Sequence, residues 1–163
     1  MNFDRLNSMN LNLIALKEMH SPRDPNFESR VRESFSRQTL MQTLGASITA
    51  IAPGEVEISM PMRDGMSQQN GFVHAGIITA IVDSACGYAA LTLTPESREV
   101  LTIEYKVNFL SPAIGQRFVA RGKVTRAGKT IAVCSGEVTA ESGGEPKLIA
   151  SMLTTMMIIN PEA

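Results

Sequence analysis

Asp83 is the residue whose setting most needs explaining. It interrupts residues 77–90, which are otherwise small or apolar apart from a threonine and a serine. A run of that length suits a helix apolar on nearly every side, and such a helix belongs inside a protein. A carboxylate there is costly unless it is compensated. Burial would lift its pKa toward working pH, which suits a general base or a nucleophile. The plainer alternative is a carboxylate that caps a buried loop or pairs with an arginine. Just upstream lies a polar loop holding Gln68, Asn70, His74, Ala75 and Gly76. Backbone N–H groups at a helix start have no intrahelical partner and can hold a developing oxyanion. An ordinary tight entry into a helix uses the same residue types. His74 is the tempting base, yet a histidine at such a junction commonly only hydrogen-bonds the turn. His20 has no evident partner. Two histidines so placed, without Cys or carboxylate at ligand spacing, do not make a metal site. No nucleophile elbow or phosphate-binding glycine loop is present. No metal and no cofactor are expected.

The elements that must position these residues follow from the rest of the chain. The sequence has 163 residues, 44% hydrophobic and 19% charged, which suits one folded domain with an appendage. The formal net charge of −1 gives no general attraction to nucleic acid or anionic membrane. Cys86 and Cys134 sit among small or apolar residues and are expected as buried, reduced thiols. The first twenty residues carry charges among their apolar positions, and no uncharged stretch reaches spanning length. A soluble, cytoplasmic protein is expected.

Leu6, Met9, Leu13 and Leu16 predict a short amphipathic helix, followed by a break at Pro22 and Pro25. Residues 1–25 are therefore expected as an arm and linker, and 26–163 as the main domain. Asn26 should cap a helix whose apolar face runs through Phe27, Val31, Phe35, Met41 and Leu44 and stops at Gly45. Residues 46–52 and 55–62 predict a hairpin turning at Pro53-Gly54, with Val56, Ile58 and Met60 alternating against polar neighbours. Pro95 limits the central helix. Strand-like segments follow at 100–110, 117–126, 130–140 and 147–159, joined by short turns and expected as a four-strand antiparallel meander. The result is α+β: an antiparallel sheet with one helix packed on its face.

From about Phe35 to Ile159 the chain resembles the hotdog-fold thioesterases, specifically the PaaI-like acyl-CoA thioesterases. The resemblance rests on His74-Ala75-Gly76 with Asp83 further along the helix, on residues 102–112 ending in Pro112, and on the spacing between the two. The common family form is His-Gly-Gly, so Ala75 is a departure that keeps its backbone N–H. Ser111 stands where relatives often carry a basic residue. The resemblance implies a hotdog fold: a curved antiparallel sheet wrapped around one long central helix, here with an N-terminal helical extension. It implies Asp83 as nucleophile or general base in thioester hydrolysis, and the Ala75 N–H as oxyanion donor. Gln68 would orient water or the carbonyl, with Asn70 as a rival, and Thr102 would assist the attacking water. Each of these last three also reads as an ordinary loop or strand residue. His74 and Gly76 would shape the helix entry beside the substrate.

Ala75 and Asp83 are eight residues apart, about 12 Å along a straight helix. One helix cannot bring both to one carbonyl. Two antiparallel helices across a two-fold axis can, and Ala80, Ser84, Ala85 and Gly87 would allow close approach. A homodimer with shared sites is therefore expected, with a dimer of dimers as a further step known in the family. Coenzyme A would need cations, and Lys106, Arg121, Lys123, Arg126 and Lys129 are the candidates, Lys106 and Arg126 foremost. Phe72, Tyr88 and the many methionines suggest an adaptable apolar pocket. The competing readings are a non-catalytic acyl-CoA-binding or regulatory protein and a hotdog dehydratase. The latter needs a paired His and acidic residue in a spacing not seen here.

Overall fold

The computed structural model describes residues 21–161. Most of the expected arm, residues 1–20, lies outside them. Two short helices open the described chain, α1 (Phe27–Ser36) and α2 (Thr39–Leu44). They replace the single helix expected from Asn26 to Gly45. The α1 backbone ends at Arg37, and Gln38 is extended at the start of α2. Gly45 does end α2, in the left-handed conformation at φ +64°. The Asn26 side chain does not cap α1; instead its own N–H donates to Asp24 Oδ1 at 2.8 Å.

Strands β1 (Ser47–Ala52) and β2 (Glu55–Pro61) form the expected hairpin, with Gly54 at φ +78°. The central helix α3 spans Ala75–Leu91. Strands β3 (Glu99–Phe109), β4 (Arg117–Ala127), β5 (Ile131–Glu141) and β6 (Lys147–Ile159) complete one antiparallel sheet ordered β1-β2-β4-β5-β6-β3. Only β4, β5 and β6 form a meander. β3 pairs with β6 at the sheet edge, and β4 pairs with β2. The predicted four-strand meander therefore fails at its first turn: the 110–116 segment carries the chain from one edge into the sheet's interior. Alternation marks strands but does not name their neighbours.

The six strands curl round α3. Ile78, Ile81, Val82, Ala85, Cys86 and Ala89 on the helix are fully buried, as are Ile58, Met60, Phe118, Ala120, Val138 and Met156 from the strands. Two glycines set how near the helix lies. A Cβ on Gly122 would fall 2.3 Å from the Ala85 carbonyl carbon, and one on Gly136 would fall 2.5 Å from Val82 Cγ2. The C-terminal end of α3 is tied on two sides. Thr92 Oγ1 accepts from the Gly54 N–H at 2.7 Å. Arg30 donates to the carbonyls of Leu91 and Pro95 at 2.8 and 2.7 Å and to Thr94 Oγ1 at 2.7 Å, satisfying helix-end carbonyls that lack intrahelical donors. Buried Asp24 balances its charge at 3.4 Å.

Candidate functional site

Asp83 lies mid-α3 on the one stripe of that helix its own sheet does not cover. Gly76, Thr79, Ala80, Asp83 and Gly87 are all partly or fully exposed, and they recur at three- and four-residue spacing. The apolar run is thus buried on most sides and open on one. Of the four small residues expected to admit a neighbouring helix, Ala80 and Gly87 lie on this stripe. Ala85 instead faces Gly122 of β4, and Ser84 is buried under Gln38.

The carboxylate is compensated by Thr102 on β3, whose hydroxyl donates to Asp83 Oδ1 at 2.8 Å. Thr102 Oγ1 also lies 3.2 Å from Met156 Sδ. Burial pushes the Asp83 pKa up, and the Thr102 hydrogen bond pulls the other way. The net effect is upward, so the carboxyl titrates above the usual carboxylate range. No arginine or lysine pairs with it among the described residues, which removes the plain ion-pair reading. Asp83 and Thr102 line a cavity of about 220 Å³ with Ser34, Gln38, Tyr88 and Glu99.

The loop end of α3 forms a separate place. Gly71 at φ +84° turns the chain, and Gln68 N–H donates to the Phe72 carbonyl at 2.8 Å. His74 N–H donates to Met66 O at 2.9 Å and Val73 N–H to Ala113 O at 3.1 Å, fastening the loop to the segment after β3. His74 is the N-cap: its Nδ1 accepts the Gly76 N–H at 2.9 Å. His74 Nδ1 is thus engaged at the helix entry, and the Gly76 N–H is not left for a ligand. Ala75, one position earlier, is exposed, and its N–H has no acceptor among the described residues. Gln68 Oε1 accepts the Asn70 N–H, which leaves the Gln68 amide –NH₂ for the cavity it lines. That cavity, about 420 Å³, is bounded by Gln68, Phe72, His74, Ala75, Phe109 and Pro112. Asn70 is exposed and outside it.

The sequence-derived candidates thus separate into two groups on one chain: Gln68, His74 and Ala75 at one cavity, Asp83 and Thr102 at the other, with no lining residue in common. The cations are apart from both. Arg121 and Lys123 are paired to Glu57 and Glu55 at 2.7 Å each, while Lys106, Arg126 and Lys129 are exposed with no ion pair among the described residues. A further concavity, about 510 Å³, lies on the outer sheet face around those ion pairs and touches none of the candidate residues except Arg121 and Lys123. Sequence reasoning missed Ser34 and Gln38.

Cys86 and Cys134 are buried and unoxidised, and burial raises both thiols, Cys134 to about 12. They are inert packing groups, not nucleophiles. Among the described residues no His, Cys, Asp and Glu cluster could hold a metal, and no helix is long and apolar enough to cross a membrane.

Comparison with known proteins agrees with this fold. The Thioesterase superfamily family model matches residues 70–147, which include α3 and strands β3, β4 and β5. A thioesterase family protein from Silicibacter pomeroyi, solved by crystallography, is 47% identical, with 82% of this chain and 98% of that one covered and a TM-score of 0.81. Human acyl-coenzyme A thioesterase 13 is 29% identical over 105 residues, 64% of this chain and 73% of that protein. A Staphylococcus aureus thioesterase is 26% identical, covering 76% of this chain and all of that one with a TM-score of 0.69. It was solved with a glutamine replaced by alanine, and separately with a glutamate so replaced. The match to the S. pomeroyi protein over nearly its whole length, with a sheet wrapped around α3, shows that the chain belongs to the hotdog-fold thioesterase superfamily.

Proposed function

We propose that the protein is an acyl-CoA thioesterase working as a homodimer whose active sites are shared between subunits. The observation that carries this is the split: the oxyanion donor and the carboxylate occupy separate cavities at separate turns of one helix. Each is half of a hydrolytic site. The sheet supplies the means of joining them. β3 is an edge strand of eleven residues, and Leu101, Ile103, Tyr105 and Phe109 along it are about half exposed. A long apolar edge asks for a partner strand. The other edge, β1, is six residues long and irregular between Ile48 and Ala50. Two β3 strands meeting antiparallel about a two-fold axis would join the sheets. Both α3 helices would then lie on one face, antiparallel, with their open stripes together.

In that arrangement the thioester carbonyl accepts a hydrogen bond from the Ala75 N–H. Across the axis the partner subunit's Asp83 either takes a proton from water as water adds to the carbonyl carbon, or attacks that carbon itself. The tetrahedral intermediate collapses with cleavage of the C–S bond. The CoA thiolate leaves and takes up a proton, and direct attack needs a second hydrolysis of the acyl anhydride. Gln68, through its free –NH₂, would hold the carbonyl or water. The S. aureus relative supports the pairing: its two replaced residues, a glutamine and a glutamate, are fifteen positions apart, as are Gln68 and Asp83 here. Lys106, Arg126 and Lys129, without an ion pair among the described residues, would serve the CoA phosphates.

The test is hydrolysis of a panel of acyl-CoAs. Wild type should cleave at least one series, and Asp83→Ala should lose about 10²–10⁴-fold in kcat. Full activity in the variant, or no cleavage of any acyl-CoA, sinks the assignment. A non-catalytic acyl-CoA binder is the alternative, favoured by the commitment of the Gly76 N–H and Gln68 Oε1 to their own loop. Tight binding without turnover would select it.

A further inference from the structure

The outer face of the sheet is divided in a way that the shared site does not explain. On the half built from β2 and β4 it is charged: Glu55 pairs with Lys123, and Glu57 with Arg121, across neighbouring strands. Along β6 it is apolar. Met152, Thr154 and Met156 are buried toward α3, so Leu153, Thr155, Met157 and Ile159 point the other way. Leu153 is 55% exposed and Met157 41%. The strip widens at Met157, where Leu101 of β3 and Ile131 of β5 stand on either side in register, Leu101 also 55% exposed. An antiparallel sheet with one wet face normally alternates apolar-in and polar-out. A contiguous apolar patch on the wet side marks a surface that something covers. Joining β3 edges in a dimer covers the edge of that strand and leaves this face open.

The place where the described chain begins points to the cover. Asp24 lies 3.4 Å from Arg30, Arg30 donates to the Pro95 carbonyl at 2.7 Å, and the same carbonyl accepts the Arg98 N–H at 3.0 Å. The chain therefore enters beside the start of β3, at the Ile159 end of the strip. Upstream, Leu6, Met9, Leu13 and Leu16 recur at three- and four-residue spacing, and no charged residue falls between the first and the last. We propose that residues 6–16 dock on this strip as an amphipathic helix, on the sheet of their own subunit, with Leu16 toward Met157 and Leu6 toward Leu153. The dimensions agree. As a helix the four apolar residues span about 15 Å, and a helix is about 10 Å wide. Leu153 to Ile159 is about 20 Å of strand, and three strands cover about 10 Å. Residues 17–20 can bridge at most about 13 Å, enough to turn from the entry point onto the face.

The experiment is limited trypsin digestion of the full-length protein, because Arg5 and Lys17 flank the docking segment. Cleavage follows the undocked population, so the cut at Lys17 should be about tenfold or more slower in wild type than in Leu153→Glu/Met157→Glu protein. Leu13→Glu should unmask Lys17 to the same extent. It lies outside the sheet domain, so it keeps the test alive should the strip variant melt early. Light scattering follows the mass of each protein alongside. Cleavage at Lys17 as fast in wild type as in both variants overturns the docking. Unmasking by Leu13→Glu but not by the strip variant places the segment elsewhere and overturns it too. A strip variant of half the wild-type mass, with Lys17 cut no faster, gives the strip to a second dimer instead.

Discussion

Two opposed influences hold the Asp83 carboxylate: burial favours its neutral form and the Thr102 hydroxyl its charged one. A base or nucleophile must be ionised, so activity should fall as pH drops through the raised pKa. The acidic limb of kcat/KM then lies above the ordinary carboxylate range. Thr102→Val removes the donor that favours the anion. The limb should move to higher pH, with the alkaline plateau nearly kept. A plateau that falls by an order of magnitude or more with the limb unmoved would instead make Thr102 a water-handling residue. Pre-steady pH profiles of both proteins decide between these. The carboxylate itself was legible in the sequence, since a lone charge inside an apolar run stands out. Its partner was legible only through the resemblance. Thr102 is nineteen residues away on another element, and nothing in strand alternation says which threonine will face a helix. Gln38 was invisible as a cavity residue because its meaning depends on α1 breaking before it.

Elements are placed here by what is missing as much as by what packs. At Gly122 and Gly136 the strands bare their backbone and α3 settles against it. Gly122→Ala would set a methyl 2.3 Å from the Ala85 carbonyl carbon. Backbone cannot swing aside as a side-chain tip can, so the helix must lift. The expected cost is about 1–3 kcal/mol, read as a fall in Tm of about 2 to 10 °C. Gly144→Ala, where a Cβ meets nothing within 4 Å, should stay within about 1 °C and serves as the control. A melt in which the two variants match would mean the close approach is not rigid. The strands and α3 were legible because period two and a solid apolar run survive any topology. The order of the strands was not. Placing β3 beside β6 turns on where residues 110–116 lead the chain, and only tertiary packing decides that.

At the scale of the whole molecule, a split site makes a prediction that no single subunit could meet. Ala75 is the first residue of α3, a position where proline is well tolerated because its missing N–H has no helical partner. His74 precedes it at ψ 136°, within the extended range a following proline requires. Ala75→Pro should therefore delete the oxyanion donor and little else, lowering kcat about 10²–10³-fold with Tm nearly unchanged. Asp83→Asn should be comparably inactive. Neither homodimer has an intact site. A mixed dimer has one, built from Ala75 of the Asp83→Asn subunit and Asp83 of the Ala75→Pro subunit, and its second site carries both lesions. Co-expression at equal levels gives mixed dimers as about half the population, each with one working site of two. Recovery should therefore approach about a quarter of wild-type activity. Mixing lysates of separately folded homodimers should recover less unless the subunits exchange. If co-expressed, co-purified mixed dimers stay as dead as either parent, the carboxylate and the donor do not meet across a subunit boundary, and the shared site must be abandoned even if each residue proves essential alone.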